Sequence, residues 1–305
     1  MTRSRKALRR CFAAVLALTM LAGCGGSGGT LAQNGGVGSG GTGISWGSVT
    51  GFSSLVVDGT PYSSATGTYL AGSETAESTT TTALSVDLGN QLQIQLDAQG
   101  KPKTVQVDAA LIGVASGIDT ASGSLAVNGV TVRINTTLAA GPVTYFSGLD
   151  GLNTGMNGDM VEVHGVYGVD NTNHGFIQAT LIRRLPSNTQ VRRITGRISG
   201  LDTAAGVFRV GTMFVDYTAA TRILPSTAVL ANGALINAWS ATPESAGRLE
   251  AGVIRVRTLQ GENGSARLSG LVSGLAGNRF ALSGIPVDAS LAGLSGIVSG
   301  LVNGD

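Results

Sequence analysis

From residue 44 onward the chain alternates short apolar and polar runs with glycine-bearing turns. No stretch there keeps the 3.6-residue period of an amphipathic helix. LVVDGTPY (55–62), LAVNGVTV (125–132), FRVGTMFV (208–215) and FALSGIPV (280–287) each read as a hairpin, two alternating arms around a tight turn. Asp58-Gly59 and Asn128-Gly129 are dipeptides that a primed two-residue turn demands, because both central residues must adopt positive φ. A second strand pattern recurs as QLQIQL (91–96), MVEVHG (160–165) and LINAWS (235–240). A third superposes without gaps as VDAALIG (107–113), IQATLIR (177–183) and LEAGVIR (249–255), matching Ile112, Ile182 and Ile254 at spacings of 70 and 72 residues.

Self-similarity at a fixed period marks a tandem repeat. The pattern predicts an all-β chain of small antiparallel β-barrel (OB-like) or sandwich units at 44–113, 114–185, 191–259 and 267–305. A unit of about 70 residues buries only about 60% of its unfolded surface, so neighbouring units are expected to pack together. The fourth unit ends early. LVNGD (301–305) aligns with GMNGD (155–159) and LANGA (230–234), and the next matching isoleucine falls at about residue 325. The expectation is a fragment, with a degenerate terminal cap as the alternative.

The N-terminus has a different pattern. Arg3, Arg5, Lys6, Arg9 and Arg10 precede a run from Cys11 to Ala22 that is apolar apart from Thr19. This is the basic and apolar order of a secretory signal over residues 1–23, and the run is shorter than the roughly 20 residues a spanning helix needs. Leu21-Ala22-Gly23-Cys24 resembles the bacterial lipobox, which implies cleavage before Cys24 and lipidation of that cysteine. Arg9-Arg10-Cys11-Phe12 resembles a twin-arginine export signal only faintly. Residues 24–43 then read as a lipidated cysteine and a flexible glycine-rich tether without charge. Gly25, rather than an aspartate, follows the cysteine, which points to the outer membrane ahead of the inner one.

Signal removal changes the charge. The full chain has 20 basic and 18 acidic residues; losing five basic ones leaves 15 against 18, a net of −3. A general basic attraction to nucleic acid therefore has no support. With Cys11 removed and Cys24 lipidated, no thiol remains for a disulfide, a nucleophile or a metal.

Lipobox, tether, GISWGSVTGF (43–52) and units closing on Val-Glu-Val-His-Gly and Ala-x-Leu-Ile together resemble the bacterial lipoproteins that carry domain-of-unknown-function family 5666. The resemblance covers residues 43–305 as tandem copies. It implies an envelope location and a small β-barrel unit, and it brings no catalytic residues. The Thr-rich SETAESTTTT (73–82) in the first unit departs from the pattern.

Candidate chemistry is sparse. Gly43-Ile44-Ser45-Trp46-Gly47 fits the Gly-x-Ser-x-Gly elbow, but so does the tether, and no helix pattern follows. Gly36, Gly38 and Gly41 fit a dinucleotide-binding spacing without the strand and helix it requires. Glu162, His164 and His174, with Asp159 and Asp170 nearby, offer nitrogen and oxygen ligands for a metal. Yet the other repeats place Gln93 and Gln95, or Asn237 and Trp239, at the Glu162 and His164 positions, which favours a solvated strand face. Arg183, Arg184, Arg192, Arg193 and Arg197 straddle the joint between units two and three. They suit contact with an anionic partner, lipid headgroup or acidic glycan; solubilising charge is the plainer reading. Trp46 and Trp239 are either ligand platforms or packed core.

Two function classes follow. The first is a lipid-anchored envelope protein with non-catalytic binding or scaffold units, no cofactor, and a glycan or another envelope protein as partner. The second is an envelope hydrolase or metal-dependent enzyme with its site in unit two. The few titratable residues favour the first.

Overall fold

In the computed structural model the described residues are 43–52, 55–62, 68–71, 86–138, 141–257, 266–293 and 300–303. Cys24, the signal-like segment, the tether and the Thr-rich insert lie outside them. The chain is all-β. The first unit contains β1 (Ile44–Gly51), β2 (Leu55–Val57), β3 (Thr60–Tyr62), β4 (Thr68–Ala71), β5 (Gln91–Leu96) and β6 (Pro102–Val107). Its sheet order is β3-β2-β1-β5-β6-β4, with β4 parallel to β6. The second contains β7 (Leu111–Asp119), β8 (Ser124–Val127), β9 (Val130–Arg133), β10 (Tyr145–Ser147), β11 (Met160–Val169) and β12 (Gly175–Arg184). Here β7 pairs with β8, β8 with β9, β9 in parallel with β12, β12 with β11, and β11 with β7. The sheet closes on itself as a five-stranded barrel in the order first-second-third-fifth-fourth, which is OB-like and leaves no sandwich.

The third unit repeats that circuit with two interrupted strands. It contains β13 (Arg192–Arg197), β14 (Ser199–Asp202), β15 (Val207–Val210), β16 (Met213–Asp216), β17 (Arg222–Leu224), β18 (Leu235–Ser240), β19 (Arg248–Glu250) and β20 (Val253–Val256). β14 pairs with β15, β15 with β16, β16 in parallel with β19, β20 with β18, and β18 with β13. The fourth supplies β21 (Ala266–Leu268), β22 (Val272–Ala276), β23 (Arg279–Leu282) and β24 (Ile285–Asp288), the last three as a meander.

One local device recurs in every unit. Gly47-Ser-Val-Thr-Gly51, Gly113-Val-Ala-Ser-Gly117, Gly196-Arg-Ile-Ser-Gly200 and Gly270-Leu-Val-Ser-Gly274 all lie on the unit's opening strand segment. The central apolar residue, Val49, Ala115, Ile198 or Val272, is buried each time. Gly117, Gly200 and Gly274 sit at φ of +56°, +57° and +62°, where the pairing register shifts in a bulge. The first glycine makes room for the hairpin beside it. A Cβ on Gly113 would lie 2.1 Å from Asn128 Oδ1, and one on Gly47 1.8 Å from Asp58 Oδ2. The predicted primed turns are present at Asp58-Gly59 and Asn128-Gly129, with φ of +44°, +74°, +51° and +71°; Ser283-Gly284 makes the same turn.

Two expectations need correction. The division at 113/114 cuts through β7, which runs unbroken from Leu111 to Asp119. VDAALIG is therefore not the closing strand of unit one. That place belongs to β6, where Val105 faces Ile94 as Ile182 faces Val163 and Ile254 faces Ala238. The apolar identity of Ile112 produced the false match.

The units share material. A single apolar cluster runs through units two and three, including Leu111, Val163, Ile182, Ile194, Phe208 and Ile254, whereas unit one has its own around Leu92, Ile94 and Val105. Fully burying each such side chain contributes about 1.5–3 kcal/mol. Strand pairing also crosses units: β13 joins β7 at Arg193 and Ile112, and β21 lies parallel to β1 through Ile44–Trp46.

Candidate functional site

Glu162 and His164 occupy β11 where unit one packs against unit two. Five successive residues from Met160 to His164 are buried, so neither face of the strand is solvated there, contrary to expectation. His164 is wholly enclosed. The Gln91 backbone N–H donates to His164 Nδ1 at 3.2 Å, which places the ring proton on Nε2, facing Glu162 Oε1 at 2.9 Å. Asn90 Nδ2 also lies 2.9 Å from Nε2. Arg183 donates to Glu162 at 2.8 Å and to Asp87 of unit one at 2.8 Å. Burial alone would raise the Glu162 carboxyl, but the His164 ring and the Arg183 guanidinium hold it below the ordinary range. Thr180 reinforces the seam by donating to Gly89 O at 2.6 Å.

The structure does not bring His174 to this pair. His174 lies in the turn joining β11 to β12, with its side chain 82% exposed, roughly 25 Å along the hairpin from Glu162. There Asp170 accepts from the His174 and Thr172 backbones and from the Thr172 hydroxyl. Asp159 instead binds Arg184 at 2.6 Å. Among the described residues no group of three or more His, Cys, Asp or Glu stands together as a metal cage. Ser45 is buried in β1 and accepts from Tyr62 Oη at 2.8 Å; the next element is strand β2, not the helix an elbow requires.

The five arginines are not a solubilising patch. Arg183 and Arg184 have the carboxylates just named, Arg192 pairs with Glu244, and Arg193 pairs with Asp108. Arg193 is fully buried. Asp108 also receives Arg257 at 3.3 Å, and its carboxyl is held below the usual range: burial would raise it, but Arg193 and Arg257 outweigh burial. Trp239 lies under Arg193 at 4.5 Å and Trp46 under Arg257 at 4.0 Å. With its amide oriented to satisfy both neighbours, Asn237 accepts from Arg193 Nη2 at 2.6 Å and donates to Thr195 at 3.2 Å. Both tryptophans are therefore parts of a charged hub joining units one, two and three. Arg197 differs. Its guanidinium donates to Gly284 O at 3.4 Å and has no carboxylate partner among the described residues.

Two cavities lie at unit junctions, and neither was visible in the sequence. One, of about 360 Å³, is mainly apolar. It is lined by Val49 and Asp58 of unit one, Val143, Tyr145 and Val166 of unit two, and Leu271 of unit four. Asp58 accepts from the Ser48 backbone at 3.1 and 3.2 Å, and burial raises its carboxyl despite these bonds. The other, of about 320 Å³, opens between units two and three and is lined by Tyr167, Asn173, His174, Arg197, Ser199 and Gly211. The recurring Gly-x-apolar-Ser/Thr-Gly segments wall both, and that motif is the sequence signal that would have found them. Comparisons with protein-family models, curated proteins and solved structures returned no match, so the reading of these clefts rests on their own geometry.

Proposed function

We propose that this chain is a lipid-anchored cell-envelope protein whose β-units act together as a non-catalytic binding module, with the clefts between units receiving the ligand. The observation that carries this reading is the placement of two cavities, about 360 and 320 Å³, at inter-unit junctions. Small-ligand sites favour such junctions. Support also comes from His164, which accepts from the Gln91 backbone, and from the Asp108–Arg193 pair, since both bond unit to unit. The envelope address rests on the lipobox-like Leu21-Ala22-Gly23-Cys24 and on the family resemblance. Partners in this reading are the membrane, through the lipid, and a glycan or another envelope protein.

The test has two parts. Expression with labelled palmitate should label the chain and place it in the membrane fraction, and Cys24→Ala should remove both properties. A glycan panel on the purified protein should show saturable binding without turnover. Label retained by the alanine variant would overturn the anchor, and ligand consumption would overturn the non-catalytic reading.

A further inference from the structure

The cleft between units two and three has a defined chemistry. Arg197 stands at the second position of the Gly-x-apolar-Ser/Thr-Gly segment, where the other units have Ser48, Val114 and Leu271. The fold therefore does not require an arginine there. Arg197 Nε is buried with no hydrogen-bond partner, and the residue lines a cavity that holds no carboxylate among its described lining residues. His174, Ser199, Asn173 and Tyr167 line the same cavity. Burial raises the Tyr167 phenol despite Arg197 nearby, so it stays a proton donor at neutral pH. Among the described lining residues Arg197 is the one cation of fixed charge, and His174 Nδ1 lies 4.0 Å from Asp170 Oδ1. The turn carrying His174 joins the fourth and fifth barrel strands, one of the loops that OB-like barrels use for saccharides.

We infer that this cleft binds a small hydroxyl-bearing anion, a sugar-sized molecule carrying a carboxylate or phosphate, with Arg197 receiving the charge and His174, Ser199 and Asn173 receiving the hydroxyls. The inference rests on the binding-module reading and specifies its ligand. A guanidinium offers paired donors that match either anion. The volume, about 320 Å³, suits one or two sugar rings.

The test is calorimetric titration of the purified full chain in detergent with glucuronate, glucose 6-phosphate and glucose. The two anions should bind at least about tenfold more tightly than glucose, and Arg197→Gln should remove that difference. The stronger anion identifies the source, sugar acid or sugar phosphate. Ser199→Trp, which fills the cleft from an exposed strand position, should abolish binding while Arg197 remains. Arg184→Gln, whose partner Asp159 lies elsewhere, should leave affinity unchanged. Circular dichroism of each variant separates loss of binding from loss of fold. Equal affinity for glucose and the anions, or anion binding unaffected by both Arg197→Gln and Ser199→Trp, would overturn the inference. So would no saturable signal with either anion; if glycans still bound elsewhere without turnover, the binding-module reading would stand without it.

Discussion

Asp108→Asn removes one charge from the hub where three units meet while keeping the shape of the side chain. Asp108 is buried, and its two oxygens serve different guanidiniums, the wholly enclosed Arg193 and Arg257. The variant leaves both cations without their shared carboxylate, a change that costs about 3–5 kcal/mol when the pair is buried. For a cooperative body of this size, melting should fall by about 6–20 °C. Urea unfolding followed by tryptophan fluorescence is the matched assay. The chain has two tryptophans, and each lies against a hub arginine, Trp239 against Arg193 and Trp46 against Arg257. pH provides a second reading. Because the folded carboxyl is depressed, its stabilisation is present above the ordinary value of 3.8 and is lost as pH falls through the lower folded value. The variant should lack that part of the acid sensitivity. Asp108→Leu combined with Arg193→Met should recover part of the loss, since apolar replacement of a buried pair is often neutral. A loss below about 1 kcal/mol at pH 7 would refute the reasoning, because the hub would then be worth no more than a surface ion pair.

Gly113→Ala should destabilise by about 1–3 kcal/mol in chemical denaturation, because its Cβ meets Asn128 Oδ1 at 2.1 Å, whereas Gly252→Ala, with its nearest neighbour at 4.0 Å, should stay within about 0.5 kcal/mol. Asn128→Asp turns a donor to Ile112 O and Arg193 O into a carboxylate facing two carbonyls; the expected loss is about 2–4 kcal/mol at neutral pH and less in acid. Asp170 should titrate at about 2 by NMR, held down first by the Thr172 hydroxyl and then by the His174 backbone, and Thr172→Val should move it up toward 3.8. An unchanged titration in that variant would assign the depression elsewhere.

Hairpins were legible because their determinants are local: Asp58-Gly59 and Asn128-Gly129 name their own turn. Strand identity was equally readable for β11, β12, β18 and β20, whose apolar positions alternate. The closing strand of unit one was missed because PKTVQV carries little of the apolar signature seen in IQATLIR, while Ile112 in β7 imitated it. Burial of Glu162 and His164 was illegible for a different reason. Alternation describes one sheet, and the second face of β11 is covered by residues some seventy positions earlier, Asn90 and Gln91. The Gly-x-apolar-Ser/Thr-Gly segment was visible in principle, but its copies begin at 47, 113, 196 and 270, too unevenly for a search at a fixed period.

The parallel pairing of β1 with β21 also bears on how the molecule assembles. Ile44–Trp46 wait for Ala266–Leu268, about 220 residues later in the chain. At about 5–20 residues per second, synthesis alone separates the two by some tens of seconds. During that interval one edge of the first-made strand has open amides and carbonyls, the situation in which strands pair with the wrong chain. Completion of the first unit is therefore a late event, and a holding chaperone would act most usefully on that early edge.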